Sequence, residues 1–338
     1  MKQDNKTRLR AGLVLVLASA LLISACGSNG NDAGENNANT SGAGNEAPAN
    51  TANEPQQTEE PAELTLTDAS GTEVTIPADP KHVLATYLED YLVALDVKPV
   101  AQWSVANGTM EYLGDELAGI PEMPFDLPLE VVNSMEPDLI ILGDDTQAAE
   151  GKKDELAKIA PTFLLGSETV KDWRQTLTKI GEILQREDQA AAVLEAYNTK
   201  VAEAKTAIEN AAPGESAAIL WLISETIYLV DESVASGAVL YEDLGLTPPN
   251  LVTDIPEENR FSWNQISMEA LADLDADHIF LINGEGAESE TLKTAVWNNL
   301  PAVKSGQVYE LPAKSSWLYS GPIASGSVVD EAVERLVP

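Results

Sequence analysis

The chain has 338 residues, 44% of them apolar, which is room for two domains of ordinary size. Its formal charge of −35, from 55 acidic against 20 basic residues, repels nucleic acid and anionic headgroups. One cysteine and two histidines exclude internal disulfides and leave no Cys/His set for zinc or copper.

The first signal along the chain is a processing segment. Lys2, Lys6, Arg8 and Arg10 form a basic opening, "AGLVLVLASALLI" is an apolar run too short for a spanning helix, and Ser24-Ala25 place small residues before Cys26. This resembles a bacterial lipoprotein signal with its lipobox. The resemblance implies removal of residues 1–25, diacylation of the Cys26 thiol, and anchorage to the extracytoplasmic face of a cell membrane, that of a Gram-positive bacterium. Residues 26–61 hold Asn, Gly, Ala, Ser, Thr, Glu and Pro almost alone, and such a stretch cannot bury enough apolar surface to offset its ordering entropy. A disordered tether is expected there.

The expected first lobe, 62–170, opens with "ELTLTDASGTEVTIP", whose alternation around Ala69-Ser70-Gly71 predicts a β-hairpin. "HVLATY", "KPVAQW", "PDLIILGD" and "PTFLLG" then read as strands, separated by the helical segments "LEDYLVALDV", "LPLEVVNSM" and "GKKDELAKIA". Strands alternating with helices predict a parallel, helix-covered sheet. Residues 171–213 read as helix throughout, first "VKDWRQTLTKIGEILQR" and then an Ala- and Glu-rich run, from about Asp188, with no breaker before Pro213-Gly214. That second helix is long enough to pass from one lobe to another. The α/β pattern restarts in 214–338 with strands "SAAILWLI", "TIYLV", "DHIFLI" and "GQVYELP", helices among them, and the amphipathic tail "SVVDEAVERLV".

The two halves echo each other. "LPLEVVNSMEPDLIIL" and "ISMEALADLDADHIFLI" match at an offset of 139 positions, pairing Glu130 with Glu269, Met135 with Leu274 and Asp138 with Asp277. Catalytic signatures are missing: there is no GxSxG, Walker loop, GxGxxG or HExxH, and His278 lies inside an apolar strand and His82 beside the start of one, where structural roles are the rule. Nothing points to an enzyme.

Lipobox, polar tether, "GTEVTIPADPKHV", "LEDYLVALDVKPVAQW", "LEVVNSMEPDLIILG", the long helix, "WNQISMEALADLDADHIFLI" and "VWNNLPAVKSGQVYELP" together resemble the substrate-binding lipoproteins of iron-siderophore and vitamin B12 ABC importers. The resemblance implies two Rossmann-like α/β lobes joined by one rigid helix, with a ligand cleft between them and no resident cofactor or metal. It implies a monomer that hands its ligand to an ABC permease dimer with its ATPase, and it makes Glu130 and Glu269 the carboxylates that dock on that permease. Loops at strand ends would then build the cleft. Tyr87, Trp103, Trp221, Arg260, Trp263, Trp317 and Tyr319 are its candidate residues, with Lys314 as a second cation and Asp144-Asp145 at a neighbouring turn. Few basic residues lie in these loops, which favours a neutral or cationic ferric hydroxamate over a catecholate or citrate chelate. Haem, with Tyr87 or Tyr319 as ligand, and cobalamin remain as alternatives, as does a lipid-anchored structural or adhesion protein that transports nothing.

Overall fold

The computed structural model describes residues 62–105, 108–256 and 259–338. The expected signal segment, Cys26 and the tether lie outside the described residues. Strands β1 (Leu64–Thr67) and β2 (Glu73–Ile76) form the expected antiparallel hairpin. Its turn is organised by Asp68, whose carboxylate accepts from Ser70 N at 2.9 Å and Thr72 N at 3.0 Å and pairs with Lys153 at 2.7 Å. Burial alone would raise this carboxyl, but Lys153 and the donors from Ser70 and Thr72 outweigh it and hold it below its ordinary value.

The first lobe contains β3 (Val83–Ala85), β4 (Gln102–Ser104), β5 (Glu122–Pro124), β6 (Leu139–Leu142) and β7 (Thr162–Leu164). β3, β6 and β7 pair in parallel in the order β3-β6-β7, and every residue of the three is buried, as continuous apolar runs require when both faces are covered. β4 does not enter that sheet. It pairs with β5, a strand too short and too close to a proline to show any periodicity, while Pro99, three residues before β4, bridges to Val83 on β3.

The second lobe holds β8 (Ala217–Ile223), β9 (Thr226–Val230), β10 (Trp263–Gln265), β11 (His278–Asn283) and β12 (Val308–Pro312), in the order β10-β9-β8-β11-β12. β8, β11 and β12 are parallel, whereas β9 and β10 add an antiparallel edge. The chain reverses at Ser224-Glu225, both in the left-handed region at φ 49° and 56°, the geometry of a tight hairpin turn. Side chains offset that strain. The Glu225 carboxylate accepts from Thr291 N at 2.9 Å, Ser289 Oγ at 2.8 Å and Glu290 N at 3.1 Å, and these donors hold it down at about 2.

Six helices frame the sheets and the space between the lobes: α1 (Glu89–Ala94), α2 (Leu129–Ser134), α3 (Trp173–Ile183), α4 (Glu187–Ala211), α5 (Met268–Leu271) and α6 (Pro322–Leu336). α4 is the long connecting helix, 25 residues and so about 37 Å. Its buried residues Ala190, Tyr197, Ala204 and Ile208 recur at roughly heptad spacing and pack it against α3 and α6. One core cluster runs through both lobes: it takes Val83 and Ile141 from the first sheet, Tyr197 and Ile208 from α4, Ile219 and Phe280 from the second sheet, and Val328 from α6. Opening the lobes about α4 would part that shared core, so close packing opposes a hinge.

The echoed units do the same work in each lobe. Before β6, the Asp138 carboxylate accepts from Lys81 N at 2.7 Å and His82 N at 2.9 Å, at the entry to the neighbouring strand β3. Before β11, Asp277 accepts from Ser216 N and Ser216 Oγ, both at 2.8 Å, at the entry to its neighbour β8. Each aspartate therefore clamps the start of the next parallel strand and sets the register of the pair. Asp138→Ala and Asp277→Ala are each expected to lower the unfolding free energy by about 1–2 kcal/mol. Urea titration followed by circular dichroism checks this, and a change below a few tenths for either variant would remove the clamp from the account.

Candidate ligand cleft

A cleft of about 920 Å³ opens between the lobes. The first lobe contributes the residues that follow β3, namely Thr86, Tyr87 and Leu88, together with Trp103 on β4 and the Gly143–Gln147 turn after β6. From the second lobe come the stretch after β9, Asp231 to Ala235, the approach to β10 from Arg260 to Trp263, and Leu318 to Ser320. The volume falls in the range of small-molecule sites.

Aromatic rings form much of its wall. Tyr87 meets Trp103 edge-on at 5.6 Å and Tyr319 at 6.0 Å, and Tyr319 continues to Tyr112 at 4.9 Å, so rings from both lobes form one cluster. Tyr87 holds φ at 60°, a left-handed conformation that is uncommon for an aromatic residue and that aims its ring into this cluster. The mouth is apolar as well. The large hydrophobic residues exposed among the described residues are Tyr87 (37%), Phe125 (66%), Phe261 (69%) and Trp263 (39%). Three of these line the cleft, and the carbonyl of the fourth, Phe125, accepts from Trp103 Nε1 at 3.2 Å.

The polar groups leave little net positive charge. Arg260 places a nitrogen 2.6 Å from the Glu232 carboxylate and another 3.4 Å from buried Asp231, and it donates to Ile255 O at 3.3 Å. Lys171, also on the wall, pairs with Glu168 at 2.6 Å. Asp144 adds an acidic group whose Oδ1 accepts from Thr146 N at 2.8 Å. An anionic ligand would therefore meet cations that already have partners.

Of the residues expected from sequence, Tyr87, Trp103, Arg260, Trp263 and Tyr319 come together here. Trp317 does not. It is fully buried, stacked on Phe280 at 4.6 Å, with Nε1 donating to Glu331 at 3.0 Å. Trp221 stands behind the wall rather than on it, 6.2 Å from Trp263 and 5.5 Å from Tyr228. Lys314 is taken up by an ion pair with Glu111 of the first lobe at 2.5 Å. Neither histidine lines the cleft: His82 contacts Glu136 O, and His278 sits between Glu215 and Tyr309. Sequence reading missed Thr86, Gly143, Gln147 and Phe261, polar-loop or turn residues with no pattern of their own. Glu130 and Glu269 lie outside the cleft, exposed in the first turns of α2 and α5, where the helix dipole favours an acidic residue.

Beneath the cleft two adjacent carboxyls are buried. Asp90 accepts from Ile323 N at 3.0 Å and Ala324 N at 2.9 Å, two free amides of the first turn of α6, and from Tyr112 Oη at 2.8 Å. It thus ties α1 of the first lobe to α6 at the chain's end. Gly321 allows this approach, since a Cβ there would stand 2.5 Å from the Asp90 carboxyl carbon. Glu89 accepts from Trp103 N at 2.5 Å, while its other oxygen is buried without a partner. Burial pushes Glu89 up to about 7 and Asp90 up to about 6 despite these donors.

The family described as "Periplasmic binding protein" matches residues 97–315. The iron(3+)-hydroxamate-binding protein FhuD of Bacillus subtilis is 29% identical over 280 residues, covering 81% of this chain and 87% of that protein. The iron(3+)-hydroxamate-binding protein YxeB of the same organism is 27% identical over 286 residues, covering 78% and 82%. A crystal structure of an FhuD-fold component of a ferrichrome ABC transporter from Bacillus subtilis superposes with a TM-score of 0.68 at 26% identity, covering 80% of this chain and 99% of that one.

A pH dependence follows from the buried pair. Both acids have folded values above their ordinary ones, so the folded chain holds these protons more tightly than the unfolded chain does. Their contribution is full below about pH 4 and is lost as pH rises through 6 to 7. Unfolding free energy measured in urea is expected to be on the order of 2 kcal/mol smaller near pH 7.5 than near pH 5.5. Glu89→Gln should remove most of that difference. An equal slope in the variant would assign the effect to other groups.

Proposed function

The chain belongs to the periplasmic binding protein family, and on that premise we propose that it captures a ferric siderophore outside the cell, a hydroxamate by preference, and delivers it to an ABC permease. The observation that carries the ligand class is the neutralisation of Arg260 by Asp231 and Glu232. A cleft whose arginine is already paired gains little from a polyanionic catecholate or citrate chelate, and it suits a neutral or cationic complex. Tyr87, Trp103, Trp263 and Tyr319 offer ring surface to the organic shell of such a chelate. The protein supplies no metal ligand in this reading, because the chelate already satisfies its iron. Two relatives named for hydroxamate binding support the same class.

The haem alternative needs an oxygen or nitrogen ligand on the wall. Burial raises both Tyr87 and Tyr319 above the ordinary phenol range, which disfavours the phenolate that iron requires, and no histidine lines the cleft.

Delivery adds two elements. Glu130 and Glu269 occupy equivalent first turns in the echoed units, so one partner with twofold symmetry can meet both, and paired rim charges give register and orientation more than raw affinity. Acylation of Cys26 would hold the chain at the membrane beside that partner. No helix of the described residues is long and apolar enough to cross a membrane.

Titration of tryptophan fluorescence with ferrichrome, ferrioxamine, ferric enterobactin, ferric citrate, haem and cobalamin should show the hydroxamates binding tightest. Tighter binding of an anionic chelate would overturn the charge argument, and no binding of any would favour a structural or adhesion protein. The double variant Glu130→Lys/Glu269→Lys is expected to abolish iron uptake by cells while leaving the fluorescence titration unchanged. Normal uptake would end the docking assignment.

A further inference from the structure

Gln147 stands on the cleft wall in the turn after β6, and three donors converge on its side-chain oxygen. Gly143 N donates to Oε1 at 2.7 Å, Thr86 Oγ1 also donates to it, and Asp144 N lies 3.3 Å away. Gly143 N also donates to Thr86 Oγ1 at 3.0 Å, so strand end, turn and hydroxyl form one knot. A backbone N–H cannot accept a hydrogen bond. The oxygen must therefore face Gly143, and Nε2 must face the other way. Gly143 suits this knot, since a Cβ there would crowd Thr86 O at 3.1 Å and Oε1 at 3.4 Å. Gln147 is only half-buried, and its Nε2 has no protein partner among the described residues. The result is an uncharged donor whose orientation is set before any ligand arrives.

We propose that Gln147 is a specificity-determining residue of the cleft, whose Nε2 donates to a carbonyl or iron-bound oxygen of the ligand. The inference rests on the reading of the ligand as a ferric hydroxamate and names the group that reads it. Such a chelate shows the cleft carbonyl and iron-bound oxygens, which are acceptors. A neutral donor rewards an acceptor without demanding a charge, which matches a cleft whose cations are already paired. A preoriented amide also loses no side-chain entropy on binding. A ligand that presented its own donor at this point would leave two donors opposed and both unsatisfied.

The test is Gln147→Glu. It keeps the shape of the side chain and an oxygen for Gly143 and Thr86, and it replaces the outward donor with an acceptor. Gln147→Met removes the donor without adding an acceptor. Wild type and both variants are titrated with ferrichrome, an uncharged ferric hydroxamate, by tryptophan quenching, with folding checked by circular dichroism. The expected result is a loss of affinity of about fivefold or more in Gln147→Glu and a smaller loss in Gln147→Met. A loss below about fivefold in Gln147→Glu overturns the inference. Should that variant not fold, binding by Gln147→Met equal to wild type overturns it, and weaker binding supports it. Failure of the wild type to bind ferrichrome or any other ferric hydroxamate defeats the ligand reading and this inference with it. Binding that persists in the variants defeats this inference alone.

Discussion

The structure depends on a carboxylate buried where the two lobes meet. Asp90 takes two backbone amides from the first turn of α6 and the hydroxyl of Tyr112, so that the helix ending the chain is capped by a residue near the start of the first lobe. Around this bond runs the core that α4 shares with both sheets. Two consequences follow. The cleft has a floor that belongs to neither lobe alone, and close packing beneath it resists a change in the spacing of its walls. The rings of Tyr87, Trp103, Tyr112 and Tyr319 stand in contact with one another over that packed base, an arrangement that favours a preorganised site.

Preorganisation also shapes the electrostatics. In a chain of charge −35 one expects acidic surface everywhere, yet the cleft is nearly balanced, with Arg260 and Lys171 each in contact with carboxylates. Selectivity in such a site comes from fixed dipoles and ring faces rather than from net charge. That accords with the proposed uncharged or cationic ligand, and it separates the cleft from the outer surface, whose acidity favours solubility.

Much of the fold was legible because it is written in local periodicity. The buried parallel strands, the hairpin and the 25-residue helix each declare themselves within their own segments, and the repeat that pairs Glu130 with Glu269 is visible as a constant offset. Where side chains from distant segments meet, reading failed. Trp263 and Trp317 look alike in sequence, both in polar loops, but Trp317 finds Phe280 and Glu331 and disappears into the core, while Trp263 stays on the wall. Gln147 is one polar residue in a polar loop until Thr86, from another strand end, turns its amide. Glu89 and Asp90 read as first-turn acids of a helix, and only the packing of α6 onto α1 reveals that they are buried. β5 and β10 span three residues each, too few for any period to register.

The backbone of Tyr87 sets strain against packing at a single position. With φ at 60° the residue occupies a conformation in which glycine is at ease and a ring-bearing residue is not. A glycine there would relax the backbone and at the same moment take a ring out of the cleft, so the two effects of one exchange run in opposite directions. With tyrosine there, ring contacts to Trp103 and Tyr319 offset the strain, so the backbone of one residue holds the aromatic surfaces of the two lobes together.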